Sequence, residues 1–172
     1  MTCSAHSECN NQDVNWSPRA PGVRLRELPA MPMIDIYATT GTFPDTHKLA
    51  MDAAAIVREV EQVPDIPMFR QNTAAFVHEM PPGTFANLNG DGNYVRVQVL
   101  TNIGALDRDK QLAIVQRLTD LVAMAANDAG LTKRTWVLLT EAVQGGWGLW
   151  GRAHTNDELV AAARAEIARL RG

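Results

Sequence analysis

Residues 29–38 read Pro29-Ala30-Met31-Pro32-Met33-Ile34-Asp35-Ile36-Tyr37-Ala38, and they join two unlike pieces of chain. Before them, residues 1–30 are rich in Ser, Asn, Pro and Arg and show no period, so loop or disorder is expected there. After them the pattern turns regular. Ile34, Ile36 and Ala38 alternate with Asp35 and Tyr37, as in a strand buried on one face. Pro32 stands at the opening of that strand, a place where a residue without an amide proton disturbs no ladder.

Read outward from this strand, the chain repeats itself. Gly41, Phe43 and Pro44 form a loop, and Asp45 or Thr46 can cap a helix whose apolar face carries Leu49, Ala53, Ile56 and Val60. Pro64 and Pro67 end it, a second strand is expected over about 73–79, and a Gly/Asn-rich loop follows. The same order then returns. Val95, Val97 and Val99 alternate, Gly104 and Leu106 lie in a loop, and Asp107 can cap a helix. That helix places Val115, Leu118 and Val122 on its apolar face, with Ile114 and Leu121 beside them, and a fourth strand is expected over 135–141. An offset of 63 positions pairs Ile34 with Val97 and Gly41 with Gly104. After Pro44 the offset becomes 62, pairing Asp45 with Asp107, Lys48 with Lys110, Glu79 with Glu141, Gly83 with Gly145 and Phe85 with Trp147.

A strand–helix–strand unit with a long helix pairs its strands in parallel through a right-handed crossover. Two such units predict an α+β fold: a four-stranded mixed sheet with both helices on one face. The uncovered sheet face carries apolar and aromatic residues, so self-association is expected. Thr155 and Glu158 form a capping box for a last helix striped by Leu159, Ala163, Ile167 and Leu170. The expected organisation is an extension over 1–31, a domain over 32–154 with repeats of about 32–91 and 94–154, and a C-terminal helix over 155–172.

Composition narrows the function. The 172 residues are 46% hydrophobic and 20% charged, with a net charge of −3, so no sequence-wide basic surface for nucleic acid is present. No apolar run reaches the length of a membrane helix. The two cysteines, Cys3 and Cys9, lie in the leader, and a cysteine-free body fits a reducing cytoplasm. Cys3, His6 and Cys9 do not follow a zinc spacing and show no fourth ligand, so no metal is expected.

Three motifs carry a family resemblance: Met31-Pro32 followed at once by an alternating strand, the helix start "GALDRDK" echoed by "GTFPDTHK", and the strand end "LLTEAVQGGWGLWG". In these the chain resembles the tautomerase superfamily typified by 4-oxalocrotonate tautomerase, over about 31–154, and is similar to its fused two-repeat members. The resemblance implies a homotrimer, no cofactor, a small carbonyl-acid substrate and an amino-terminal proline as the catalytic residue.

A terminal proline is a secondary amine. An apolar pocket lowers its pKa, and the free amine can then take a proton from one site of an enol or 2-oxo acid and return it to another. An internal prolyl nitrogen is an amide without useful basicity. The chemistry therefore requires Pro32 to be the first residue, and a start at Met31 followed by its removal is the expectation.

The resemblance also implies cationic residues that hold a substrate carboxylate. The loop arginine is replaced by Thr42 and Ala105, and the fourth-strand arginine by Trp136. Arg96, Arg134 and Arg152 are the candidates to substitute, and Trp147 can wall an apolar pocket. Tyr37 and Tyr94 are candidate proton donors, with strand packing as their other role. His78 reads as a structural residue of the strand end. The alternatives are a non-catalytic trimeric scaffold or a hydratase or dehalogenase on the same fold.

Overall fold

The computed structural model describes residues 31–172; the Cys3/His6/Cys9 group and residues 1–30 of the expected extension lie outside them. Four strands form one sheet: β1 (Met33–Thr39), β2 (Ala74–Met80), β3 (Val95–Asn102) and β4 (Thr135–Ala142). Their order is β2-β1-β3-β4. β1 pairs in parallel with β2, β3 in parallel with β4, and β1 runs antiparallel to β3. The sheet is thus mixed, and α1 (Thr46–Glu61) and α3 (Arg108–Ala125) pack on one face of it, as the repeat implies.

The repeat extends to the connections. Asp45 Oδ1 accepts from the Lys48 amide at 2.8 Å, and Asp107 Oδ1 from the Lys110 amide at 2.9 Å. Each caps a helix at the same point of its unit. Glu79 accepts from the Gly41 amide at 3.0 Å, and Glu141 from the Gly104 amide at 3.1 Å. Gly41 and Gly104 have φ of +83° and +76°, a region that favours glycine. The two glutamates therefore fasten the two loops after β1 and β3.

The main core lies between helices and sheet. Ile34, Ile36, Ala38, Val95, Val97 and Val99 meet Leu49, Ala53, Val57, Ile114, Leu118 and Val122. Both helices use an i, i+4 ridge, which differs in detail from the faces read in the sequence. In α1 the fully buried line is Leu49–Ala53–Val57–Glu61, while Ile56 and Val60 pack at its margin. In α3, Val115 is 38% exposed and Ile114 takes the buried place. The 3.6-residue period admits either neighbour, and the contact between α1 and α3 decides which turns inward.

Beyond Glu61 the chain departs from a plain loop. Gln62 ends α1 in the left-handed conformation (φ +62°). Pro67 then opens a short helix, α2 (Pro67–Gln71), a place where its missing amide proton costs nothing. Met68 and Phe69 from α2 enter a second buried cluster with Met31, Ile66, Trp147, Leu159 and Ala163. Trp147 belongs to a hairpin of β5 (Trp147–Leu149) and β6 (Arg152–His154). Leu159 and Ala163 belong to α4 (Asn156–Arg171), capped by Thr155 and Glu158 in a reciprocal capping box. Leu170, expected on the apolar stripe of α4, is exposed because the cluster ends before the last turn.

The other sheet face carries exposed Phe76, Leu100, Trp136 and Leu138. Leu118→Ala should lower the unfolding free energy by about 2–5 kcal/mol, and Val115→Ala by less than about 1 kcal/mol, in urea titrations. Equal effects would contradict the helix face described here.

Candidate active site around Pro32

Pro32 is buried and its carbonyl accepts from the Ala74 amide at 3.2 Å, just ahead of the β1–β2 ladder. Met31 before it is fully buried in the second cluster, and its amide donates to Asn102 Oδ1 at 3.3 Å. Continuing the register by one residue beyond Met33↔Leu100 and Met33↔Ala74 sets Pro32 between Thr101 and Thr73. The sheet thus holds the proline from both sides.

This end of the molecule is polar inside. Among the described residues, the buried polar or charged ones are Glu61, Thr101, Asn102 and Asn156. Thr101 Oγ1 donates to Glu61 Oε1 at 2.6 Å, and Asn156 donates to the carbonyl of Ile103 at 2.9 Å. Lys110 Nζ donates to the main-chain carbonyl of Glu61 at 3.1 Å. Burial pushes the Glu61 carboxyl up to about 7, against the opposing pull of the Thr101 hydrogen bond and the Lys110 charge. Two buried side-chain atoms lack a hydrogen-bond partner among the described residues: Glu61 Oε2 and Thr73 Oγ1. Thr73 neighbours the Pro32 position in the register, and Glu61 is bonded to Thr101 on the other side of it.

The candidates named from sequence separate. Trp147 is buried and shares its cluster with Met31 and the partly buried Met33, the two neighbours of Pro32. Arg96 lies on the open sheet face, its guanidinium 5.2 Å from the Tyr37 ring centroid, and donates to Gln98. It stands five residues before Thr101, about 17 Å along the strand at ~3.4 Å per residue. Arg134 precedes β4 at that same far end, where it pairs with Asp128 at 2.5 Å and donates to the carbonyl of Asn93. It lines a cavity of about 310 Å³ with Thr39, Tyr94 and Val95. Arg152 is exposed on the hairpin, opposite Leu149. Within one chain, then, Trp147 adjoins the proline end, while Arg96 and Arg134 lie at the other. Tyr37 stacks on His78 at 4.4 Å, and His78 Nε2 meets Asp35 at 2.6 Å. Tyr94 stacks on Trp136 at 4.9 Å.

Glu61, Thr101 and Asn102 were not singled out by the sequence. A signal for Glu61 existed: it continues the Leu49–Ala53–Val57 stripe, and the offset of 62 pairs it with Ala123. Among the described residues, no group of three or more potential metal ligands is present, and no helix is long and apolar enough to cross a membrane.

The duplicated β-α-β architecture, one mixed sheet with two helices on one face, invites comparison with solved proteins. No family model and no curated protein matches the chain. Solved structures do. A fused 4-OT, described as a wild-type symmetric trimer, superimposes with a TM-score of 0.61 at 15% identity, over 74% of this chain and 98% of that one. A member of the cis-3-chloroacrylic acid dehalogenase family gives 0.61 at 12% identity, over 77% and 90%. A protein called Pt0534, solved after inactivation by 2-oxo-3-pentynoate, gives 0.59 at 16% identity, over 73% and 97%. The chain has the fold of the tautomerase superfamily.

The Glu61 shift has a consequence for stability. Unfolded, this carboxyl titrates near 4.5, and folded at about 7. Between those values the native state holds the extra proton, so its stabilising effect is full below 4.5 and lost as pH rises through 7. The displacement corresponds to about 3 kcal/mol at ~1.4 kcal/mol per pKa unit. The carboxyls of Glu59, Asp65 and Glu158, all held down by their hydrogen bonds, act below this window. Glu61→Gln should raise the unfolding free energy at about pH 8 by roughly 1–3 kcal/mol and flatten its slope between about pH 5 and 7. A slope equal to that of the parent would place the buried charge elsewhere.

Proposed function

We propose that this protein is a cofactor-independent keto–enol tautomerase acting on a small enol or 2-oxo acid. Pro32 is its general base once the chain begins there, by a start at Met31 or by removal of the preceding residues. The observation that carries this reading is the gathering of buried polar groups around the strand-opening proline. Around the pseudo-equivalent position, Val95, the counterparts of Thr101 and Glu61 are the buried alanines Ala38 and Ala123. Likeness to fused 4-OT supports the fold on which such a site is built.

The pocket follows from the same contacts. Met31 fills the space in front of Pro32, among Phe69, Trp147 and Leu159. Its removal frees the proline nitrogen, opens an apolar-walled recess and releases Asn102 Oδ1 from the Met31 amide. The recess keeps the amine dry and its pKa low. The neutral amine takes the enol proton from oxygen and, as the ammonium so formed, delivers it to carbon, which regenerates the free base. Arg96 and Arg134 lie too far from Pro32 in their own chain, so their part in holding a substrate carboxylate requires a neighbouring copy. Arg152 has the reach of an exposed hairpin. The cysteine-free body fits a cytoplasmic setting.

A homotrimer is part of the proposal. The face bearing Phe76, Leu100, Trp136 and Leu138 has no cover among the described residues, and a fused 4-OT with this fold is described as a trimer. Leu138→Asp should convert a trimer of the chain into monomers in light scattering. A trimer that survives several such changes on this face would remove it as the interface.

A second reading has its own support. Met31 is buried and hydrogen-bonded, so a chain that retains it has an acylated Pro32 and a filled recess. Such a chain is a scaffold without this chemistry. One experiment separates the two. Protein beginning at Pro32 should ketonise phenylenolpyruvate, and 2-oxo-3-pentynoate should add one mass increment at the Pro32 peptide. Pro32→Ala should lose about 10²–10⁴-fold in kcat/KM, and the full chain should be inactive. Full activity in Pro32→Ala overturns the catalytic role.

A further inference from the structure

The internal repeat supplies its own control for the proline end. The strand and long-helix positions there have counterparts in the other half, in the same fold. Thr101 corresponds to Ala38, and Glu61 to Ala123; both alanines are buried. Pro32 corresponds to Val95. Thr73 corresponds to Thr135, whose hydroxyl donates to the carbonyl of Leu131 at 2.7 Å, whereas Thr73 Oγ1 has no partner among the described residues. The fold is therefore satisfied by apolar residues where Glu61 and Thr101 stand. A buried carboxyl and an unpaired carboxylate oxygen both carry a free-energy cost. That cost is borne on one end only, the end with the proline.

Of the two atoms without partners, Glu61 Oε2 can only accept when the carboxyl is ionised, and the Thr73 hydroxyl can accept as well as donate. Thr101 already donates to one oxygen of Glu61, and the other oxygen is buried with no donor to it among the described residues. Thr73 and Thr101 flank Pro32 in the register, and their side chains share its face of the sheet, the face on which α1 packs. A protonated secondary amine at Pro32 brings two N–H donors and a positive charge to that spot. Met31, as an amide-linked residue, brings neither.

We propose that Glu61 is the counter-charge of the Pro32 amine: in protein whose first residue is Pro32, the carboxyl and the amine titrate as one coupled pair. This rests on the reading of Pro32 as a terminal base, and it adds a positioning residue to that site. The pair has four protonation states. Ammonium with carboxylic acid loses one proton to give either ammonium–carboxylate or amine–acid, and the loss of the second gives amine–carboxylate. When the amine takes a proton from substrate, the carboxylate offsets the new charge without solvent. Return of that proton restores the pair. Thr101 from β3 and Lys110 from α3 also act on Glu61; Lys110 bonds its main-chain carbonyl and the carbonyl of Ala105. Glu141, beyond Thr101, is exposed and bound to the Gly104 amide.

The test is NMR titration of protein running from Pro32 to Gly172, labelled with ¹⁵N-proline. Only a terminal proline nitrogen titrates, so one signal moves. In Glu61→Gln that signal should titrate in a single step, with an apparent pKa lower by about one unit or more, a tenfold change in proton affinity. Glu61→Ala, which copies the Ala123 of the other repeat, should do the same. A measurement without substitution compares the ¹³C carboxyl titration of Glu61 in the Pro32-initiated and full chains. The ammonium should lower it from about 7 only in the former. Equal Glu61 titration in the two chains, or a Pro32 pKa unchanged within about 0.3 unit in either folded variant, overturns the coupling. None of these readouts needs turnover. A coupled pair without tautomerase activity would sink the proposed reaction alone, and activity without coupling would sink this inference alone.

Discussion

The antiparallel pairing of β1 with β3 is the joint on which the molecule depends. Each repeat alone is two parallel strands and one helix, too little to bury a core. The joint lays the first strand of each unit against that of the other, with Ile34 opposite Val99 and Ile36 opposite Val97. It makes one four-stranded sheet and brings α1 and α3 together over it. It also creates a pseudo-twofold relation. The start of β1 meets the end of β3 at one end of the sheet, and the reverse holds at the other.

A molecule built this way has two equivalent ends, and this sequence makes them unlike. Caps and loop fasteners are shared: Asp45 with Asp107, Glu79 with Glu141. These are requirements of the fold, and both halves meet them. The departures are at one end. Val95, Ala38 and Ala123 build a core at one, while Pro32, Thr101 and Glu61 stand in their places at the other. A buried carboxyl disfavours the folded state above neutral pH, and the duplicated half shows that the architecture stands without it. The difference between the halves is therefore the part of the sequence that the fold does not explain.

That division also accounts for what was legible in the chain. Strands, helices and caps repeat, so alternation and helical spacing revealed them, and the offset confirmed their order. Which residue of an apolar pair turns inward did not show, because Ile56 and Val57, or Ile114 and Val115, satisfy the same period. Only the crossing of α1 and α3 chooses between them. The short helix α2 was hidden behind Pro64 and Pro67, which punctuate the chain in either conformation. Pro32 and Trp147 were visible as motif residues. Glu61 was not, since one charge at the end of an amphipathic helix ordinarily lies in solvent. Arg96 and Arg134 drew notice as cations, but strand position puts them at the far end of the sheet, a fact that depends on the direction of β3 and β4.

The ladder explains why folding and chemistry separate at a single bond. Pairing of β1 begins at Met33 with both of its neighbours. Among the described residues, no main-chain ladder contact involves the amide that joins Met31 to Pro32. Met31 contributes burial in the second cluster and one hydrogen bond to Asn102, while the main core of Ile34, Ile36 and Val97 lies entirely beyond it. Loss of Met31 therefore trades one apolar side chain for a recess and leaves the sheet in place. In the proposed enzyme the same trade turns an amide nitrogen into an amine beside Thr73 and Thr101, and its protonated form is the donor that the unpartnered Glu61 oxygen lacks.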